Sequence, residues 1–214
     1  MAKTSLKYKI WTVLFLVIVV CTSTAMLNVA YVNTKTEVEK REFLKLEQSV
    51  LDVFGIPYDQ ADIETIFKEN ITIEYINGMK IYSSYDGIAF QITGPGFWDK
   101  ISVLLALEYD METIMSLKIL SNNETPGLGA RINEKWFLDQ FRGKTVIPEI
   151  KIMTQKTTAS HTKTDTTTGA SSANRKPNEV DAITGATQTS KALEKLINNG
   201  VRTFYQKTSL ESNI

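Results

Sequence analysis

Hydrophobic residues along this chain follow several rhythms, and each predicts a different element. From Ile10 to Val32 the run is nearly continuous, broken only by Thr12, Thr22, Ser23, Thr24, Asn28 and Tyr31. About 20 helical residues at 1.5 Å each cross the ~30 Å hydrocarbon core of a bilayer, so this stretch predicts a transmembrane helix. From Thr34 to Phe54 the spacing becomes that of an amphipathic helix. Phe43, Leu46, Val50 and Val53 share one face, and Lys40, Glu42, Lys45 and Glu47 lie on others. Gly55 and Pro57 end it. Asp59 or Asp62 is placed to cap a second, short helix through Ile66 and Phe67.

Between 71 and 120 the rhythm is that of strands. Ile71–Ile76 and Met79–Tyr82 flank Asn77-Gly78, a pair in which both residues accept positive φ, the strongest short hairpin signal. Asp86-Gly87 is read the same way before Ile88–Ile92. Gly94-Pro95-Gly96 turns the chain ahead of Phe97 and Trp98, which are assigned to the core. Ile101–Tyr109 and Ile114–Leu120 add two strands. Val103–Leu107 does not alternate, so both of its faces are expected to be covered. Asn133 is placed to cap a short helix carrying Trp136, Phe137 and Phe141. Val146–Ile152 predicts a strand that Pro148 confines to a sheet edge. Residues 156–178 carry no apolar rhythm. Thr and Ser dominate there, and such a composition does not offset the cost of ordering, so a flexible surface loop is expected. A final helix to about Gln206 buries a stripe of Leu193, Leu196, Ile197, Val201 and Phe204.

Composition narrows the function. The 214 residues carry 24 acidic and 24 basic side chains, a zero net charge that argues against a nucleic-acid binder. Cys21 stands alone, so there is neither a disulfide framework nor a thiolate metal cluster. Val20 stands where a lipoprotein site needs a small residue. The single histidine, His161, lies in the polar tract and reads as solvated, which weakens any serine hydrolase. Gly127-Leu128-Gly129 lacks the third glycine of a dinucleotide fingerprint, because Ile132 occupies its place. Gly143-Lys144-Thr145 resembles the end of a phosphate loop, but Leu138 stands where its first glycine belongs.

The candidate chemistry lies in Asp181–Ser190, a hydroxyl-rich turn that runs into the last helix. It has two readings. In one, Thr187 is an ordinary helix cap accepting from the N–H of Thr189 or Ser190, and Gly185 permits the turn. In the other, the unpaired N–H groups and positive dipole end bind a phosphate, with Thr184, Thr189 and Ser190 adding hydroxyls. Upstream, Glu124-Thr125-Pro126-Gly127-Leu128-Gly129 reads by itself as a plain loop, or as one whose glycines allow a flat ring to approach the backbone.

Thr184-Gly185-Ala186-Thr187, with Asp181 three positions upstream, resembles the flavinylation motif of the FMN-binding domain family. Glu124–Gly129 is similar to a second motif of that family, in the family's order, and the resemblance covers roughly residues 70–205. That domain occurs in the G subunit of Rnf-type ion-translocating ferredoxin:NAD oxidoreductases and in the C subunit of the sodium-translocating NADH:quinone reductase. The resemblance implies an FMN joined through its phosphate to Thr187. It assigns cofactor-binding roles to Asp181, Thr184, Gly185, Ala186, Thr189 and Ser190, and to Glu124, Thr125, Pro126, Gly127, Leu128 and Gly129. Asp181 would also be read by the flavin transferase that attaches the cofactor from FAD. The family often has a shorter connection where residues 156–178 stand.

The expected architecture is α+β, an antiparallel sheet with flanking helices on one N-terminal transmembrane helix. Its parts are a cytoplasmic 1–9, an anchor 10–32, a helical connector 33–69, an extracytoplasmic FMN-binding domain 70–206 and a tail 207–214. Lys3, Lys7 and Lys9 precede the apolar run and a mixed-charge set follows it, so the positive-inside rule leaves the N-terminus inside. The run is longer than a signal core, which favours a retained anchor over a cleaved leader. The expected function is an electron-carrying subunit of an Rnf-type complex, with other membrane subunits as partners. A quinone-reductase C subunit, a stand-alone extracellular flavoprotein and a flavin-free anchored binding or adhesion module are the alternatives. A cysteine introduced into the Thr/Ser tract should react with a membrane-impermeant thiol reagent on intact cells; labelling only after lysis would reverse the topology.

Overall fold

A computed structural model of the chain describes residues 5–154 and 176–211. Its contacts group the residues into two compact units, Met1–Lys45 and Leu46–Ile214. The first helix, α1 (Ser5–Phe54), contains the one stretch among the described residues that is long and apolar enough to cross a membrane. The predicted transmembrane and connector helices are therefore one continuous element. Its last turns belong to the second unit, where Val50, Leu51, Val53 and Phe54 are buried. Leu51 was not on the expected face, whereas Phe43 was and is half exposed. The buried face is rotated by about one residue and carries Glu47 inward as well.

The second unit is built on a five-stranded antiparallel meander, β1 (Thr72–Ile76), β2 (Met79–Ser84), β3 (Gly87–Pro95), β4 (Lys100–Glu108) and β5 (Ile114–Ser121), adjacent in sequence order. At the first turn Asn77 and Gly78 have φ 48° and 77°, as a type I′ hairpin requires. Asp86-Gly87 works differently: neither residue has a positive φ. Gly87 begins β3 opposite Glu108, and a Cβ there would run into the carbonyl oxygen of Leu107. Its glycine is required by close packing of backbones, not by a left-handed turn.

Both faces of β4 are covered, as its unbroken apolar run predicted. On one face Ala89, Leu104 and Ala106 pack with Tyr82, the end of α1 and helix α2 (Ile63–Asn70). Asp62 stands before α2 without a side-chain cap. On the other face Phe90, Ile92, Val103 and Leu105 pack against helix α4 (Thr187–Glu211) through Leu193, Leu196, Ile197, Val201 and Phe204. The rings of Phe90 and Phe204 stack at 4.6 Å and 8°. α4 continues past the expected Gln206, and Lys207 exchanges hydrogen bonds with Asn77 through both side chains.

The 3-10 turn Gly129–Asn133 leads into the single turn α3 (Lys135–Leu138). Glu134, not Asn133, stands at its start, and no side chain caps it. Phe137 and Phe141 are buried, while Trp136 stays partly exposed. The expected strand at 146–152 is shorter: β6 (Lys151–Met153) begins after the cis Ile147–Pro148 bond and pairs in parallel with β7 (Glu179–Asp181). α4 holds β6 with side chains. Asn198 bonds both the N–H and the C=O of Ile150 at 2.9 Å, and Glu194 accepts from the Ile152 N–H. The loop expected at 156–178 lies, up to residue 175, outside the described residues. Asn178 is described and is buried, donating to the Glu149 carbonyl at 2.7 Å.

The position of α4 depends on small residues where it crosses β3. A Cβ on Gly94 would lie 2.7 Å from Leu196 Cδ1, and one on Gly200 would lie 2.6 Å from Ile92 Cγ1 and Cγ2. Gly200→Ala should therefore lower stability by about 1–2 kcal/mol despite alanine's better helix propensity. Adding Ile92→Val, which removes the Cδ1 methyl that also crowds that Cβ, should recover part of the loss in a thermal melt of the detergent-solubilised chain. Full independence of the two changes would contradict this packing.

Candidate functional site

β7 ends at Asp181, whose N–H donates to Gln140 Oε1 at 2.9 Å. Four residues then turn the chain into α4. The Ala186 N–H donates to the Ile183 carbonyl at 3.0 Å, and Gly185, third of the four, has φ 82°, the value a type II turn demands there. Thr184 and Gly185 at the tip are exposed. The first helical hydrogen bond runs from the Ser190 N–H to the Ala186 carbonyl at 3.0 Å. Ala186 is thus the N-cap and Thr187 the first helical residue. The cap that one of the two sequence readings gave Thr187 is not formed.

An alanine N-cap has no side-chain oxygen to offer, whereas most helices place Ser, Thr, Asp or Asn there. Among the described residues the N–H groups of Thr187, Gln188 and Thr189 meet no protein acceptor. Nor does Ser190 supply one. Its Oγ accepts from the Ile183 N–H at 3.1 Å and donates to the Ala186 carbonyl at 3.0 Å, bracing the turn from inside. Three free donors and the positive end of a 25-residue helix therefore converge beside the half-buried Thr187.

The second predicted motif reaches the same place through Glu124. The residue is 3% exposed. Oε2 accepts from the Thr189 hydroxyl at 2.7 Å. Oε1 accepts from the backbone N–H groups of Phe97 and Trp98 at 2.8 and 3.0 Å. Two glycines allow this convergence. A Cβ on Gly129 would stand 2.6 Å from Thr189 Oγ1, and one on Gly96 would stand 2.6 Å from the Asp99 carbonyl oxygen. Asn123 adds a bond to Asp99 at 2.6 Å. That bond, ahead of the one from the Lys100 N–H, holds the Asp99 carboxyl below its ordinary range.

The structure thus brings the two motifs together. Glu124, Gly129 and Thr189 form the buried junction, and a Cβ on Gly185 would lie 3.4 Å from Leu128 Cδ2. Pro126, Gly127 and Leu128 are exposed and Thr125 half-buried. Asp181 is half-buried at the base of the turn. Sequence reasoning placed Phe97 and Trp98 in the core, but they are 52% and 69% exposed. Their backbone is held by Glu124 and their rings stand outside it, edge to face at 5.2 Å. It also missed a cavity of about 620 Å³ between β3 and α4, walled by Gly94, Gly96 and Phe97 opposite Gln188, Lys191 and Lys195. Lys191 and Lys195, four apart just beyond the motif, were the available signal.

A family model described as the FMN-binding domain matches residues 96–202, half of the chain, and the chain belongs to that family. It is 34% identical over 114 residues to the G subunit of the Na(+)-translocating ferredoxin:NAD(+) oxidoreductase complex of Acetobacterium woodii, covering 52% of this chain and 46% of that relative. It is 29% identical over 204 residues to the G subunit of the ion-translocating oxidoreductase complex of Vibrio atlanticus, covering 88% of this chain and 87% of the relative. The fold resembles that of Shewanella oneidensis NqrC, with a TM-score of 0.60 at 15% identity over 75% of this chain and 91% of that one.

Gly129→Ala tests the junction directly. Its Cβ cannot sit 2.6 Å from Thr189 Oγ1 without displacing the hydroxyl from Glu124. A loss of about 1–3 kcal/mol is expected, read as a lower melting temperature. An unchanged melt would mean that this contact is not tight.

Proposed function

We propose that this chain is the membrane-anchored flavoprotein subunit of an Rnf-type ion-translocating oxidoreductase, carrying electrons through an FMN bound covalently to Thr187. The observation that carries the reading is the helix start. Thr187 is the first residue of α4, beside three unpaired N–H groups and behind an alanine N-cap. A phosphate diester on its oxygen would receive those donors, and among the described residues no protein acceptor stands in their way. Membership of the FMN-binding domain family supports the cofactor, and the likeness to the Vibrio atlanticus relative over most of both chains supports the complex. FMN supplies the one- and two-electron chemistry when bound. The chain supplies the anchor in α1, with the N-terminus inside the cell, and holds the phosphate end at α4.

Attachment is the work of an external flavin transferase using FAD. The Thr187 hydroxyl oxygen forms a bond to the FMN phosphorus, the bond to the adenylate breaks, AMP leaves and the hydroxyl proton is released. Thr184 and Gly185, exposed at the turn tip, leave the hydroxyl's surroundings open to such an enzyme.

Expressed with a flavin transferase, the chain should carry a flavin that survives denaturation and fluoresces in a gel. Thr187→Ala should abolish that fluorescence while changing stability by no more than about 0.5 kcal/mol, since the residue is not the cap. Thr187→Ser should retain part of it. Fluorescence of the Thr187→Ala protein would move the attachment elsewhere. A wild type that stays dark with active transferase and correct export would leave the anchored binding module as the better account.

A further inference from the structure

We propose that Glu124 is a positioning residue for flavin attachment, a buried brace that sets the first turn of α4, and not itself a contact of the cofactor. The inference rests on Thr187 being the FMN acceptor.

Three observations carry it. Glu124 is 3% exposed, so its carboxylate does not face a ligand. Both lone-pair sites of Oε1 are taken, by the N–H groups of Phe97 and Trp98, and Oε2 holds the Thr189 hydroxyl. Thr189 is itself 3% exposed and sits in the same helical turn as Thr187, so Glu124 fixes the turn that presents the acceptor oxygen. Thr189 is likewise a part of the brace, not a free hydroxyl waiting for phosphate. Through one carboxylate the Phe97-Trp98 loop, the Thr125–Gly129 loop and the helix start are held in one arrangement.

The step that depends on this is the transfer described above, in which Thr187 Oγ1 becomes bonded to phosphorus and AMP departs. Reactions of that kind fall by about a hundred-fold when the reacting atom is misplaced by about 1 Å. The geometry therefore predicts that loosening the brace slows attachment although no group touching the flavin has changed.

The experiment uses the full chain in detergent, a purified flavin transferase and FAD, and reads the initial rate of covalent flavin incorporation. Amide hydrogen exchange at Phe97 and Trp98 is measured alongside. Glu124→Ala should slow incorporation about ten-fold or more and speed exchange at those two amides. Glu124→Gln should restore most of the rate, because its carbonyl can keep both N–H bonds and its amide can donate to Thr189 Oγ1. Thr189→Val, which removes one bond and keeps the shape, should also slow incorporation while leaving the Phe97 and Trp98 amides protected. A folded Glu124→Ala protein labelled at the wild-type rate overturns the proposal. If that variant does not fold, wild-type labelling of Thr189→Val overturns it instead. A Glu124→Gln protein as slow as Glu124→Ala also overturns it, since the carboxylate's charge and not its geometry would then be at work. A wild type that takes no label, or a Thr187→Ala protein that does, marks failure of the acceptor assignment and not of the brace.

Discussion

A carboxylate buried away from water is tolerable only when its oxygens are hydrogen-bonded, and around Glu124 that requirement organises the site. Its three donors and its own backbone tie together three distant segments: the loop after β3, the motif's own loop and the first turn of α4. The Asn123–Asp99 bond also joins the first two, and the carboxylate of Glu124 reaches the third as well. Removing either set of donors would leave a buried carboxylate oxygen without its partner, so their docking is mutually conditional. The glycines at 96 and 129 follow from the same constraint, because side chains there would stand where the carboxylate, its neighbours and the Thr189 hydroxyl must meet.

The helix start shows the complementary arrangement, donors without acceptors. Ser190 uses its hydroxyl inward on Ile183 and Ala186, and Thr189 uses its own on Glu124. The side chains that ordinarily cap a helix are thus turned away from the end they would cap. What remains at the tip is backbone N–H, a positive dipole end and the Thr187 hydroxyl. A phosphate diester, carrying one negative charge and acceptor oxygens, complements that end better than any protein side chain nearby.

Much of the fold was legible because its signals are local. Asn77-Gly78 names its turn, the unbroken run in β4 states that both faces are covered, and the stripe from Leu193 to Phe204 marks a helix packed on a sheet. Where the deciding contact was distant, the reading failed. Asp86-Gly87 looked like a second hairpin pair, but Gly87 answers to the backbone of Leu107 across the sheet. Phe97 and Trp98 looked like core by composition, yet it is their backbone that Glu124 holds from 27 and 26 residues away, leaving the rings outside. One of the two readings made Thr187 a cap because threonine often is one. The hydrogen bond that moves the cap to Ala186 depends on how Ser190 braces the turn, and no spacing encodes that. The two motifs were recognisable separately, but their junction spans 65 residues and belongs to the fold.

The location of the site explains why attachment would be covalent at all. α4 is set on the sheet by Gly94, Gly200 and the Phe90–Phe204 stack, so its N-terminus inherits the rigidity of the core. The cavity beside that N-terminus has an open rim: Phe97, Trp98 and Leu128 are each about half exposed or more. Tight reversible sites bury roughly 70–90% of a ligand, and a rim this open falls short of that. A deeper pocket would hold a flavin better by burying more of it. On the proposed reading, a bond to Thr187 removes the need for enclosure. The rigid helix start supplies position, the ester supplies retention, and the ring is left near the surface where electrons enter and leave.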